Sequence, residues 1–157
     1  MNPLAVGAKA PNFSLLNQQG DTVELASLTA QQQVLIYFYP KAMTPGCTVQ
    51  ACALRDNFEQ FAEKGVTVVG ISPDTVKSLA KFTERDQLNF LLLSDPDHQV
   101  AAAFGVWGAK KFMGKEYDGI HRISFLIDTQ GIIRQVYQTF KTSNHHQVVL
   151  DSLVASH

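Results

Sequence analysis

Between residues 34 and 137 the hydrophobic positions gather into four short runs, each with the length of a strand rather than a helix. The first, Val34-Leu35-Ile36-Tyr37-Phe38-Tyr39, is continuous, β-branched or aromatic, and closed by Pro40. Such a run predicts a strand covered on both faces. Residues 66–71 and 123–127 repeat that pattern. Residues 132–137 follow the turn residues Asp128-Thr129-Gln130-Gly131, which predicts a hairpin. Helical spacing fills the intervals over residues 45–63, 75–85, 98–103 and 144–155. Near the N-terminus, residues 13–15 and 22–25 flank Gly20 and predict a small additional β-hairpin. Strands alternating with helices, then a hairpin and a last helix, predict an α/β fold with helices on a mixed central β-sheet. No repeat, linker or low-complexity tract interrupts residues 1–157, so a single domain is expected.

Charge and composition narrow the function classes. Thirteen basic and fourteen acidic side chains leave a net charge of -1 with no basic stripe, which argues against a nucleic-acid partner. No apolar run is long enough to span a bilayer, and no secretory pattern opens the chain, so a cytoplasmic location is expected. In a reducing compartment Cys47 and Cys52 point to metal binding, redox chemistry or packing rather than a structural disulfide. Two cysteines spaced C-x4-C do not complete a zinc tetrahedron, and His145-His146 has no ligand-like spacing to either, so no metal is expected.

The richest stretch is Pro40-Lys41-Ala42-Met43-Thr44-Pro45-Gly46-Cys47, followed by Cys52. Thr44 suits an N-cap and Pro45 a first helical position, which puts Cys47 in the first turn among unpaired backbone N–H groups. That end of a helix favours an ionised sulfur, the nucleophilic form. Gly46 is expected to let a small substrate come close. Cys47, Ala51, Leu54, Phe58 and Phe61 share one apolar stripe, whereas Cys52 lies about 140° around the helix from Cys47. In intact helix the two Cα atoms would be roughly 8 to 9 Å apart. A disulfide requires about 4.4 to 6.8 Å, so bonding demands local unwinding. Each feature alone has an ordinary meaning. Thr-Pro pairs cap many helices, buried cysteines fill cores, and Arg122 by itself reads as an exposed strand residue. Three other functions stay open on these residues: a disulfide oxidoreductase, a non-enzymatic redox sensor and a binding module with a core cysteine. The first is disfavoured because it usually uses C-x-x-C at a helix head.

The pattern Pro40-x-x-x-Thr44-x-x-Cys47 resembles the active-site signature of the peroxiredoxins. Cys52 resembles the resolving cysteine of the peroxiredoxin Q branch of that family. The likeness extends through Gly7-x-x-Ala10-Pro11-x-Phe13-x-Leu15, Gly70-Ile71-Ser72, Leu93-Ser94-Asp95, Phe104-Gly105-Val106-Trp107-Gly108 and His121-Arg122-Ile123-Ser124-Phe125-Leu126-Ile127-Asp128. It implies a thioredoxin-like fold with an N-terminal extension, peroxide reduction without metal or haem, thioredoxin as reductant, and a monomer. It also implies that Arg122 enters the active site, that Thr44 and the Cys47 N–H orient the peroxide, that Pro40 limits solvent access, and that Cys52 closes a disulfide with Cys47. The chain departs from the family pattern at Ala42-Met43, where polar residues are usual, and at Ile123, where a hydroxyl residue is usual. Phe104 and Trp107 are read as core or pocket wall, Phe112-Met113 as lining for bulky hydroperoxides, and His145-His146 as the opening of the last helix.

Overall fold

Alternation along one strand sets the architecture. In β3 (Gln33–Phe38), Leu35 and Tyr37 point to one side of the sheet while Val34, Ile36 and Phe38 point to the other. Both sides are covered, which is why this strand reads as an unbroken apolar run. The computed structural model describes residues 2–155 of the chain. On one face Leu35 and Tyr37 pack with Cys47, Ala51 and Leu54 of α2 (Pro45–Asp56), Phe61 of α3 (Phe58–Glu63) and Phe82 of α4 (Val76–Asp86). Val149 and Leu150 of α6 (His145–Ala155) complete that layer. On the other face Ile36 and Phe38 meet Phe13, Leu25, Val100 and Phe104, with Val100 carried by α5 (Gln99–Ala103).

The central sheet has seven strands in the order β2-β1-β5-β4-β3-β8-β9. These are β1 (Ser14–Asn17), β2 (Thr22–Glu24), β4 (Val66–Ser72), β5 (Leu91–Ser94), β8 (Ser124–Ile127) and β9 (Ile133–Tyr137) around β3. β3, β4 and β5 run parallel, whereas β8 pairs antiparallel with β3, and β1 antiparallel with β5. The expected mixed α/β sheet is therefore present, with β8 and β9 forming the expected terminal hairpin. The small additional N-terminal hairpin also forms, and through β1 it joins the edge of the main sheet at β5.

Four differences from the sequence reading have physical causes. The helix expected over residues 45–63 breaks at Asn57, whose φ of −110° and ψ of 17° end α2 and begin α3. Its amide donates to the Ala53 carbonyl at 2.7 Å and caps the break. Phe58 thereby leaves the apolar stripe and is 39% exposed, while Phe61 returns to the core. Leu25, read as a strand end, starts α1 (Leu25–Thr29), where Asn12 Oδ1 accepts the Ala26 N–H at 3.0 Å. β5 is only four residues long and gains its strand form from parallel pairing with β4. Finally, β6 (Trp107–Phe112) and β7 (Lys115–Ile120) form a separate two-stranded sheet, turned by Met113 and Gly114, both with positive φ. Its polar segment Lys115-Glu116-Tyr117-Asp118 has no apolar alternation to announce a strand. Met113 at its tip is 87% exposed, and the Phe112 side chain lies outside the described residues.

Candidate active site

The site begins where β3 runs out. Tyr39 extends the strand by donating its N–H to the Ile71 carbonyl at 3.1 Å, and Pro40 then ends the pairing because it has no N–H. The loop that follows is held from the neighbouring strand end. Asp74 Oδ2 accepts both the Ala42 N–H and the Ser72 hydroxyl at 2.7 Å, and Ser94 Oγ donates to the Asp74 carbonyl at 2.5 Å. Met43 adopts φ 65°, a left-handed conformation that is costly for a side chain of this size. Its side chain packs on the core cluster containing Cys47. The departure at Ala42-Met43 is thus accommodated: Ala42 is buried and Met43 carries the bend.

Thr44 occupies the N-cap position of α2 with φ −76° and ψ 158°, and Pro45 is the first helical residue, as expected. The hydroxyl behaves differently. It does not bond to the helix N–H groups but donates to the Lys41 carbonyl at 2.9 Å. Its lone pairs therefore face outward from that bond, and the N–H groups of the first turn keep no side-chain cap.

Cys47 lies in that turn and is 2% exposed. Arg122, from the segment leading into β8, donates from Nη2 to Cys47 Sγ at 3.1 Å and from Nη1 to Gln50 Oε1 at 3.0 Å. Gly46 leaves room for this approach, because a Cβ there would stand in tight contact with Arg122 Nη2, at 3.3 Å. On the side where a Cβ would project from Gly46, the neighbours are Arg122 Nη2 and Thr142 Cγ2. Several bonds fix the segment that delivers Arg122. Phe38 N–H donates to the Ile123 carbonyl at 3.2 Å, His121 N–H to Val106 O at 2.8 Å, and Lys110 Nζ to Ile120 O at 2.8 Å. Ile123 is buried, so the second departure supplies an apolar anchor next to the arginine.

Cys52 sits half-buried on the flank of the same helix, and both thiols are free. α2 is continuous from Pro45 to Asp56, so the two cysteines are separated by intact helix, and their Cα atoms are roughly 8 to 9 Å apart. Pro40 is half-buried at the mouth of the loop.

Three participants, Gln50, Lys110 and Asp74, were not read from the sequence, and His145 was read only as the opening of a helix. Gln50 is 1% exposed although polar, and its Nε2 finds no partner among the described residues. Its position three residues after Cys47, on the apolar stripe, was the available signal. Lys110, on β6, bonds the Ile120 carbonyl two residues before Arg122; burial and then Arg122 push its pKa down, while Cys47 pulls it up. Asp74 holds the loop, as described. His145 does open α6, but it is fully buried, with Nε2 2.8 Å from Ser124 Oγ and its ring 4.6 Å from that of Phe140. Burial, followed by the charges of His146 and Arg122, pushes its pKa down to about 3. Tyr37 stands 5.8 Å from it, ring to ring, in space that Gly70 leaves open. Burial, more than any other cause, pushes the Tyr37 phenol well above the ordinary tyrosine range.

The chain belongs to the AhpC/TSA family, whose model matches residues 6–136, and with its peroxiredoxin relatives and structural neighbours this makes the protein with the Cys47–Arg122 pair a thiol peroxidase of thioredoxin-like fold. Within that family it is similar to the Bcp and peroxiredoxin Q proteins. It is 61% identical to peroxiredoxin Bcp of Escherichia coli over 153 residues, covering 98% of this chain and 97% of that one. Among solved structures, peroxidoxin BcpB of Mycobacterium tuberculosis aligns with a TM-score of 0.86 at 38% identity, over 97% of both chains. The bacterioferritin comigratory protein of Xanthomonas campestris, studied for alkyl peroxide reduction, aligns with a TM-score of 0.85 at 33% identity, over 91% of this chain and 90% of that one. Among the described residues no helix is long and apolar enough to cross a membrane.

Proposed function

We propose that Cys47 is the cysteine that attacks the peroxide, that Cys52 resolves the product, and that Thr44, Arg122 and Pro40 bind and shield the substrate. The observation that carries this reading is the 3.1 Å contact from Arg122 Nη2 to Cys47 Sγ in the first turn of α2. A charge-assisted donor aimed at a sulfur complements negative charge there and, as the O–O bond stretches, on the departing oxygen.

In the first step the ionised sulfur attacks the terminal oxygen of a hydroperoxide. An S–O bond forms, the O–O bond breaks, and the leaving oxygen takes a proton to depart as water or alcohol. The sulfur becomes a sulfenic acid. The Thr44 hydroxyl, its proton committed to Lys41 O, is suited to accept the peroxide O–H, and the Cys47 N–H to donate to a peroxide oxygen. Pro40 shields the sulfur from bulk water. Cys52 then loses its proton and attacks the sulfenic sulfur. The S–S bond forms, the S–O bond breaks, and hydroxide leaves as water with that proton. Two electrons from a dithiol protein return both thiols.

Thioredoxin is the proposed donor, hydrogen peroxide and organic hydroperoxides the substrates, and one cytoplasmic chain, folded as one domain over residues 1–157, the working unit. The alkyl peroxide activity of the X. campestris relative supports the organic substrates. The test is a coupled assay with thioredoxin, its reductase and NADPH. Sustained NADPH oxidation on adding hydroperoxide is expected. Consumption of one equivalent followed by arrest would mark a sensor instead.

A further inference from the structure

On its outward side α2 is tied to the end of α4 at two places, one directly after Cys47 and one beyond Cys52. Next to Cys47, Thr48 Oγ1 accepts a bond from Arg85 Nη2 at 2.8 Å. Beyond Cys52, Arg55 Nη1 donates to the Asp86 carbonyl at 2.5 Å, and Asn89 Nδ2 donates to the Arg55 carbonyl at 3.4 Å. The upper tie is pre-ordered from its other side. Asp86 Oδ2 lies 3.0 Å from Arg85 Nε and 2.8 Å from Nη2, and the guanidinium carbon is 5.8 Å from the centre of the buried Phe82 ring. The lower tie is reinforced by Leu54, which is 1% exposed in the core.

We propose that Arg85 is a positioning residue that latches the first turn of α2 through Thr48, and so sets how often the stretch between the cysteines unwinds. This rests on reading Cys52 as the resolving cysteine. Unwinding from the Cys47 end must break the Arg85–Thr48 bond, whereas the Arg55–Asp86 tie can stay made and stop the unwinding below Cys52. The latch therefore acts on the second step. While it is closed the sulfenic acid waits in the folded turn, exposed to a second hydroperoxide. That reagent transfers one oxygen to the sulfur, giving a sulfinic acid and an alcohol or water. When it opens, Cys52 reaches the sulfur and closes the disulfide with loss of water.

A solvent-facing bond from a charged donor shifts an equilibrium by about two- to tenfold. Because the unwound form is the minor one, opening it more often leaves the population of folded, peroxide-reactive helix nearly unchanged. Arg85→Ala and Thr48→Val should each speed disulfide formation roughly threefold. Each should also raise, by the same factor, the hydroperoxide concentration at which half the chains end as sulfinic acid. The bimolecular rate of the first step should stay that of the parent, and the double variant should exceed neither single one, since both remove one bond.

The experiment follows the reduced protein in stopped flow, then by intact mass after quenching across a hydroperoxide series. Joint movement of both single variants, with an unchanged first step, supports the latch. If the parent forms the Cys47–Cys52 disulfide but neither variant alters its rate or the partition, the latch is wrong while the resolving role stands. If the parent forms no such disulfide, the resolving role fails and the latch with it.

Discussion

Arg122 Nη2 and Cys47 Sγ lie 3.1 Å apart although 75 residues separate them in the chain. The contact joins two parts of the fold with different origins. Cys47 is placed locally, by the Thr44-Pro45 start of α2 and the stripe that turns Ala51 and Leu54 into the core. Arg122 is placed by the sheet, because the segment entering β8 is bonded to Phe38, Val106 and Lys110. Gly46 leaves room where they meet, since a Cβ there would press on Arg122 Nη2 at 3.3 Å. If the guanidinium acts on the reacting atoms, Arg122→Ala should lower kcat/KM for hydroperoxide by about 10²-fold or more, the usual cost of one preorganised donor. Arg122→Lys should recover only part, since an ammonium cannot serve the sulfur and Gln50 with one planar fork. Second-order rates of peroxide consumption, measured for both variants, check this. A rate within twofold of the parent for Arg122→Ala would show that the contact is structural.

Gln50 is the buried group that holds the other arm of that fork, at 3.0 Å. Gln50→Leu keeps the helical stripe and removes an amide whose Nε2 is unpartnered among the described residues. The peroxide rate should fall roughly tenfold, as expected for loss of a charge-assisted bond, with little change in Tm. A matched loss of stability and rate would instead point to a packing role.

Much of this site could be read from the sequence because it is written in adjacent residues. Thr44, Pro45, Cys47 and Cys52 declare a helix start and two thiols too far apart to bond in intact helix. The strands β3, β4 and β8 were legible as continuous apolar runs, a pattern that burial on both faces produces. What escaped depends on partners distant in the chain. β5 exists through pairing with β4, and the β6–β7 hairpin is a polar sheet outside the main core. The break at Asn57 uses a side-chain bond that a periodicity argument does not see. His145 looked like part of a polar helix start because nothing near it in sequence reveals that Ser124 and Phe140 enclose it.

The loop carrying Ala42 and Met43 depends on Asp74, whose carboxylate accepts the Ala42 N–H and the Ser72 hydroxyl. Asp74→Ala should free the loop and let Met43 relax from its left-handed conformation. The rate should drop by roughly tenfold, the scale of a lost bond to a charged acceptor. Met43→Gly, which suits the observed φ of 65° without a side-chain penalty, should leave the backbone in place and cost less than Asp74→Ala. Peroxide kinetics with thermal melts of both variants distinguish the effects.

His145 makes stability depend on pH in a defined direction. Its pKa falls from 6.5 to about 3 on folding, chiefly through burial, so the unfolded chain binds the proton more readily. The stabilisation is fully present above pH 6.5 and is lost as pH falls from there toward 3, at about 1.4 kcal/mol per pH unit from this group. Urea unfolding at pH 7, 6 and 5 should show this slope in the parent and a shallower one in His145→Asn. Equal slopes would mean that the imidazole is not held neutral by the fold.

The most direct test of the central claim compares Cys47→Ser and Cys52→Ser in single-turnover stopped flow, with a dimedone-type probe to trap sulfenic acid. Cys52→Ser should react with hydroperoxide as fast as the parent, yield the trapped adduct, and fail to turn over with thioredoxin. Cys47→Ser should neither consume peroxide rapidly nor yield an adduct. Fast peroxide reduction by Cys47→Ser would contradict the account.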